Sequence, residues 1–181
     1  MLTSPAPLAA CRPVTEAAPS FEALYRAHVA EVGRVLRYLG VASADLPDVC
    51  QEVFVVAHRK LGDLEGEGGA RAWLRKIAVF VAQNHRRTRR RQREDVDDDL
   101  GEQPMPGTPA SERLEQRQRL QRLLATLTDD QRAVFVLYEI ERMTMPEVAR
   151  ALSIPVQTAY SRHHAARQRV VDAVRAEEGE R

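Results

Sequence analysis

Between Gln157 and Arg167 the chain concentrates side chains able to read a nucleobase edge or hold a phosphate. They are Gln157, Thr158, Tyr160, Ser161, Arg162, His164 and Arg167. Glutamine and arginine can each make paired hydrogen bonds to a base edge, and serine and threonine bond bases or phosphates. From Arg150 to Arg169 there are four arginines and no acid, so the local field favours a polyanion. A second cationic stretch is stronger: residues 71–93 hold nine Arg or Lys and no Asp or Glu, ending in Arg86, Arg87, Arg89, Arg90, Arg91 and Arg93. Each phosphate neutralised there releases counterions, so binding would weaken steeply with salt. Trp73 and Phe80 in the same stretch could stack on exposed bases, but both lie on an apolar stripe, where core packing is the expectation. A third cluster, Asp48, Gln51 and Glu52, is spaced three and four apart and shares one helix face, suited to a basic partner surface.

Catalytic and metal chemistry find little support. No Ser/His/Asp, Cys/His or phosphate-loop arrangement stands out, and no cofactor is expected. Asp97, Asp98 and Asp99 lack the oriented scaffold that a metal site needs. His163 and His164 are adjacent, so on a helix they face different ways. Cys11 and Cys50 form no metal-binding spacing and read as reduced thiols, one exposed and one buried.

The elements that must position these residues are helices. Phe21, Leu24, Tyr25, His28, Val32, Val35, Leu36 and Leu39 recur at helical spacing, with Ser20 as N-cap and Gly40 as stop. A second helix is predicted from about Pro47 to Leu61, on the stripe Val49, Val53, Phe54, Val56 and Ala57. Residues 66–69 read as a glycine loop, and a third helix follows from about Arg71 to Arg90. In the second half, Leu114, Leu120, Leu123, Leu124 and Leu127 line a helix. Capping boxes at Thr128–Gln131 and Thr144–Glu147 open two more, the first running through Ile140. After a turn at Ser153 and Ile154, Pro155 opens a last helix to about Val174. A short capped helix, a turn and a longer polar helix outline a helix-turn-helix, whose second helix can lie in a major groove.

The expected fold is therefore all-α: two small helical domains joined by a flexible acidic linker, the second containing the helix-turn-helix. The boundaries read as a disordered tail at 1–19, a first domain at 20–91, a linker at 92–110, a second domain at 111–175 and a tail at 176–181. The linker carries Glu94, Asp95, Asp97, Asp98, Asp99 and Glu102, then Pro104, Pro106 and Pro109; extended, it would reach about 60 Å. The net charge of +1 hides this uneven distribution, which matters more than the total. No apolar run is long enough for a membrane span, and the Ala- and Pro-rich start lacks the basic region of a secretion signal, which predicts a cytoplasmic protein.

In order and spacing these pieces resemble the extracytoplasmic-function class of bacterial RNA polymerase sigma factors. Asp48-Val49-Cys50-Gln51-Glu52-Val53-Phe54 is similar to the family's D-L-V-Q-E-V-F helix. Gly66-Glu67, followed by Arg71-Ala72-Trp73-Leu74-Arg75-Lys76-Ile77-Ala78, is similar to its G-E…R-x-W-L-x-x-I-A segment. Thr158-Ala159-Tyr160-Ser161-Arg162, with His164 and Arg167, is similar to its recognition helix. The resemblance implies a non-catalytic subunit that binds core polymerase and directs initiation at promoters. Asp48, Gln51, Glu52 and Phe54 would grip the clamp helices of the core enzyme, and apolar residues of the second domain would dock on the flap. Glu67, Arg71, Lys76, Phe80, Gln83, Asn84, Arg86 and Arg87 would hold and melt the −10 element. Gln157, Thr158, Tyr160, Ser161, Arg162, His164 and Arg167 would read the −35 element. An anti-sigma factor is the regulator such a family implies. Phe80 stands where the family often has Asn, Pro155 replaces a frequent Ser, His163 a usually apolar residue and Ala165 a frequent Arg. Two other readings remain open on the residues themselves. One is a dimeric helix-turn-helix regulator that binds operators without polymerase; the other is a metal-dependent nuclease built on the aspartate cluster.

Overall fold

The computed structural model describes residues 20–62, 69–94 and 111–179, and every regular element among them is a helix. The tail at 1–19 with Cys11, the residues 63–68 with Glu67, and 95–110 with Asp97, Asp98 and Asp99 lie outside the described residues.

Helix α1 spans Phe21–Tyr38. The Ser20 hydroxyl accepts from the Ala23 amide at 3.3 Å, the N-cap that the sequence predicts. Its C-terminus closes as a Schellman motif: the amide of Gly40 donates to Arg37 and that of Val41 to Leu36. Gly40 sits at φ +87°, which glycine adopts without penalty. Helix α2 covers Leu46–Arg59, shorter than expected because Leu61 and Gly62 tighten into a single 3₁₀ turn. Asp45 heads α2 without capping it by a side-chain hydrogen bond. Its carboxylate instead meets His85 at 3.0 Å and Arg89, tying the start of α2 to α3.

Helix α3, Gly69–Glu94, is longer than the predicted Arg71–Arg90 at both ends. No proline or glycine follows Arg90 to stop it, and Gln92 and Arg93 are good helix formers, so residues 92–94, expected as linker, continue the helix. The three helices close over Leu36, Val53, Ala57, Leu74 and Ala78, each at most 1% exposed. Burial of a side chain such as Leu36 contributes roughly 2–3 kcal/mol.

The second module begins with α4, Ser111–Ala125. Leu124 and Leu127 are buried and Leu120 packs against the core; the side chain of Leu114 lies outside the described residues. Both halves of the Thr128 capping box are present: Gln131 N–H donates to Thr128 Oγ1 and Thr128 N–H to Gln131 Oε1. Helix α5, Asp129–Phe135, continues to Ile140 as predicted, but the last five residues, Val136–Ile140, widen into a π turn. Arg142, at φ +57°, then reverses the chain. Helix α6 is Met145–Leu152 and α7 is Val156–Gly179. Residues 176–179, expected as tail, are helical, and Glu177 is paired with Arg119 of α4 at 2.8 Å.

Helix α7 seats on α5 and α6 through small residues: Ala159 and Ala166 are fully buried. The two modules also touch, α3 of the first lying against α6 of the second. Glu141, at the end of the π turn, crosses to Arg75 of α3; its side chain is only 2% exposed.

Candidate nucleic-acid and polymerase interfaces

On α7 the helical period sorts the predicted reading residues into a row. Gln157, Tyr160, Ser161, His164 and Arg167 lie on one exposed face, opposite Ala159 and Ala166. Tyr160 is half exposed, a flat amphipathic ring presented to solvent. Thr158 and Arg162 do not join this row. They lie on its flank, and Arg162 pairs with Asp130 at the start of α5 at 2.6 Å. The adjoining turn is set by Ser153, which holds a left-handed conformation at the end of α6. Glu147 accepts from the Thr144 amide at 2.7 Å and from its hydroxyl, fixing the start of α6. Those two hydrogen bonds hold the Glu147 carboxyl below its ordinary range. His163, on the inner side of α7, meets Glu139 of the π turn at 2.7 Å and lies edge-on to Tyr138.

Helix α3 presents two faces rather than one. Lys76, Phe80, Gln83 and Arg87 follow the helical repeat along one side, with Asn84 at its edge. Phe80 is 60% exposed, so the expectation of core packing fails there. Position 80 falls a fraction of a turn outside the buried stripe of Leu74, Ile77 and Val81, and the ring faces solvent. Trp73, by contrast, packs against the core as expected. Arg71 and Arg86, predicted with this set, lie off it, Arg86 by about 90° around the helix and Arg71 by about 150°. Arg71 meets Glu31 at 3.0 Å, and Arg86 meets Asp129 at 2.8 Å and the Leu39 carbonyl at 2.9 Å. Arg75, between them, holds Glu31 and Glu141 together.

Asp48, Gln51 and Glu52 are exposed along one side of α2, as their spacing predicts. Phe54 does not share that side. It is 3% exposed and makes edge contacts with Phe21 and Tyr25 of α1. Beside it runs a groove of 610 Å³ lined by Phe21, Tyr25, Gln51, Phe54, Val55 and His58, among others. Tyr25 and Val55 were not singled out from sequence. The signal was available for Val55, an apolar residue off the buried stripe of α2; Tyr25 was hidden because it fits the stripe of α1. Arg132 was also missed. It is buried, donates to the Leu124 carbonyl at 2.7 Å, and has its pKa lowered to about 10 by burial and by the neighbouring Arg86. Cys50 is half-buried, and burial pushes its thiol pKa up, away from reactivity.

Among the described residues no helix is long and apolar enough to cross a membrane. Comparison with known proteins assigns both modules. Residues 24–92 match Sigma-70 region 2, and residues 117–170 match Sigma-70, region 4. The ECF RNA polymerase sigma-E factor of Escherichia coli (strain K12) is 33% identical over 151 residues, which cover 77% of this chain and 78% of that protein. The RNA polymerase sigma-H factor of Pseudomonas aeruginosa is 29% identical over 154 residues, covering 79% of each. CnrH, solved in complex with the cytosolic domain of CnrY, superposes with a TM-score of 0.64 at 26% identity over 86% of this chain and 88% of that one. The sigma factor RpoE from Bartonella quintana, solved with the anti-sigma factor NepR, shares the fold at a TM-score of 0.69 and 19% identity, over 86% and 96%. With regions 2 and 4 in this order and a relative of this identity and coverage, the chain belongs to the extracytoplasmic-function sigma factors, which direct promoter-specific transcription initiation.

Proposed function

We propose that the two modules divide promoter recognition between them. The first, residues 20–91, docks on the clamp helices of core polymerase through Asp48, Gln51, Glu52 and the Phe54 groove. It holds the melted −10 strand along Lys76, Phe80, Gln83, Asn84 and Arg87, with Arg71 and Arg86 contributing from the side of that row and Glu67 assigned to the same task from the sequence. The exposed Phe80 ring supplies a stacking platform for an unpaired base. The second module, residues 111–175, docks on the flap and reads the −35 element from the major groove. Gln157, Tyr160, Ser161, His164 and Arg167 face the bases and phosphates, while Thr158 and Arg162 serve the flank. The chain works in the cytoplasm without catalysing a reaction itself, and an anti-sigma factor regulates it.

The observation that carries this reading is the pair of exposed rows, one on α3 and one on α7, each holding the residue types that contact nucleic acid. The test is run-off transcription with purified core polymerase and genomic DNA. The chain should start new transcripts, and failure to do so, with no core binding, would overturn the assignment. Gln157→Ala or Arg167→Ala should each cost promoter binding about 1–3 kcal/mol while core binding is unchanged. Arg162→Ala should cost less, because Arg162 lies off the row and is paired with Asp130. Equal loss of promoter and core binding would contradict these roles.

A further inference from the structure

We infer that His163 is a positioning residue for the −35 element: its bond to Glu139 pins α7 in rotation and register, so that the reading row meets the base edges. The inference rests on α7 as the reading helix, as proposed above. His163 touches no nucleic acid in this role. It lies on the inner side of α7, within about 60° of both Ala159 and Ala166 around the helix. Its side chain is 16% exposed. Phe135, Tyr138 and Glu139, spaced three and four apart at the end of α5 and in the π turn, close around its ring. Phe135 lies nearly parallel to the ring at 6.5 Å between centroids, and Tyr138 stands edge-on at 4.7 Å. Nε2 meets Glu139 Oε1 at 2.7 Å. A carboxylate only accepts, so the imidazole donates.

The rest of the seat does not supply this direction. The methyl groups of Ala159 and Ala166 permit close approach, but apolar contact is non-directional, whereas a hydrogen bond weakens steeply off its axis. A turn of α7 by about 20° would carry side-chain tips, roughly 5–6 Å from the axis, through about 2 Å. Hydrogen bonds to base edges do not survive such a shift. Two other polar contacts hold α7, Arg162 with Asp130 and Glu177 with Arg119. Both pairs are more open to solvent than His163 and Glu139, and so to screening by salt. A single polar residue in an otherwise apolar seam is a known way to fix register, at some cost in stability. Position 163 fits that pattern. An apolar side chain there would hold α7 at least as firmly, yet the chain places a hydrogen bond instead.

The sample for the test is the holoenzyme, the full chain reconstituted with core polymerase. The probes are a promoter fragment recovered by genomic run-off transcription and copies of it with single base-pair changes in the −35 element. Discrimination is the ratio of initiation on the fragment to initiation on its copies. His163→Leu should leave the melting temperature of the chain unchanged or higher, because an apolar group replaces a paired polar one. It should reduce discrimination about tenfold, the worth of one hydrogen bond to a charged group. Glu139→Leu should do the same from the other side, and the double variant should lose no more than either alone. His163→Gln, which keeps a donor, should recover most of the loss. A folded variant that loses stability in step with discrimination would make His163 an ordinary seat residue and overturn the inference. So would undiminished discrimination in either single variant, or additive losses in the double one. Should the His163→Leu chain not fold, Glu139→Leu decides alone, since Glu139 stands at the rim, a third exposed. If the unaltered chain itself ignores the −35 changes, the reading assigned to α7 falls and the pin with it; if only the variants match the unaltered chain, the pin alone falls.

Discussion

Helix α3 is seated by large side chains, Leu74, Ile77 and Val81, whereas α7 rests on Ala159 and Ala166. The first arrangement gains its hold mainly from buried volume, with Ala78 and Ala82 filling the gaps between the larger side chains. The second brings backbones close, adds little apolar area, and depends on nothing protruding from the contact face. Helix α7 supplements that hold with the His163–Glu139 contact. The difference teaches that two helices proposed for similar work at a nucleic acid fail in opposite ways. One is broken by removing atoms and the other by adding them.

The largest effect should follow Leu74→Ala, which opens a cavity where the side chain is 1% exposed and should cost about 2–5 kcal/mol. Trp73 is the sole tryptophan, so its fluorescence during urea unfolding reports the α3 side of the molecule. Next comes Ala159→Leu, which overfills the α7 contact and should cost about 1–3 kcal/mol. Circular dichroism should register that loss, and duplex binding should fall with it because the reading row moves. If Leu at position 159 proves neutral for both, the close seating of α7 is wrong.

A smaller effect is expected from acid. Glu147 has a lowered pKa because of its bonds to Thr144. Asp45 does too: burial would raise it, but the hydrogen bond from His85 and the charge of Arg89 outweigh that. A carboxylate depressed in the folded state contributes stability that is complete above its ordinary pKa and lost as pH falls through the folded value. Thermal melts should therefore worsen below the ordinary carboxylate range in both modules. Glu147→Gln, which keeps an acceptor for the cap, should flatten the dependence for the α6 end alone. The smallest stability change should come from Phe80→Ala, within about 0.5 kcal/mol, since the ring faces solvent. The same variant should weaken single-strand binding by about 1–3 kcal/mol. A large loss of stability without a loss of binding would make Phe80 a core residue after all.

Much of this architecture was legible in the residues. The stop at Gly40, the caps at Ser20 and Thr128, and the turn at Ser153 are local signals, and each is realised by neighbours in sequence. The row on α7 was legible in part: five of its residues were read correctly, but Thr158 and Arg162, grouped with them by residue type, fall on the flank. Helix α3 was harder. Arg71, Lys76 and Arg86 look alike as residue types; helical phase sets the two arginines off the Lys76 side, and the acids brought up by α1 and α5 then pair them. Phe80 misled because aromatic character outweighed a small drift in helical phase. Arg132 went unnoticed because a buried arginine is unusual, and its place depends on a turn more than ninety residues upstream. The π turn leaves no periodic trace over five residues.

That wide turn at Val136–Ile140 amounts to a helix carrying one residue too many. Winding those same five residues as an ordinary α-helix, with none removed, would swing everything after them by about 100°, the rotation of the one residue the wide turn absorbs. Glu139 would leave His163, and Glu141 would no longer point at Arg75, though every charge in the protein would remain. Register alone would then uncouple the two halves of the molecule, as a key cut one notch short no longer turns its lock.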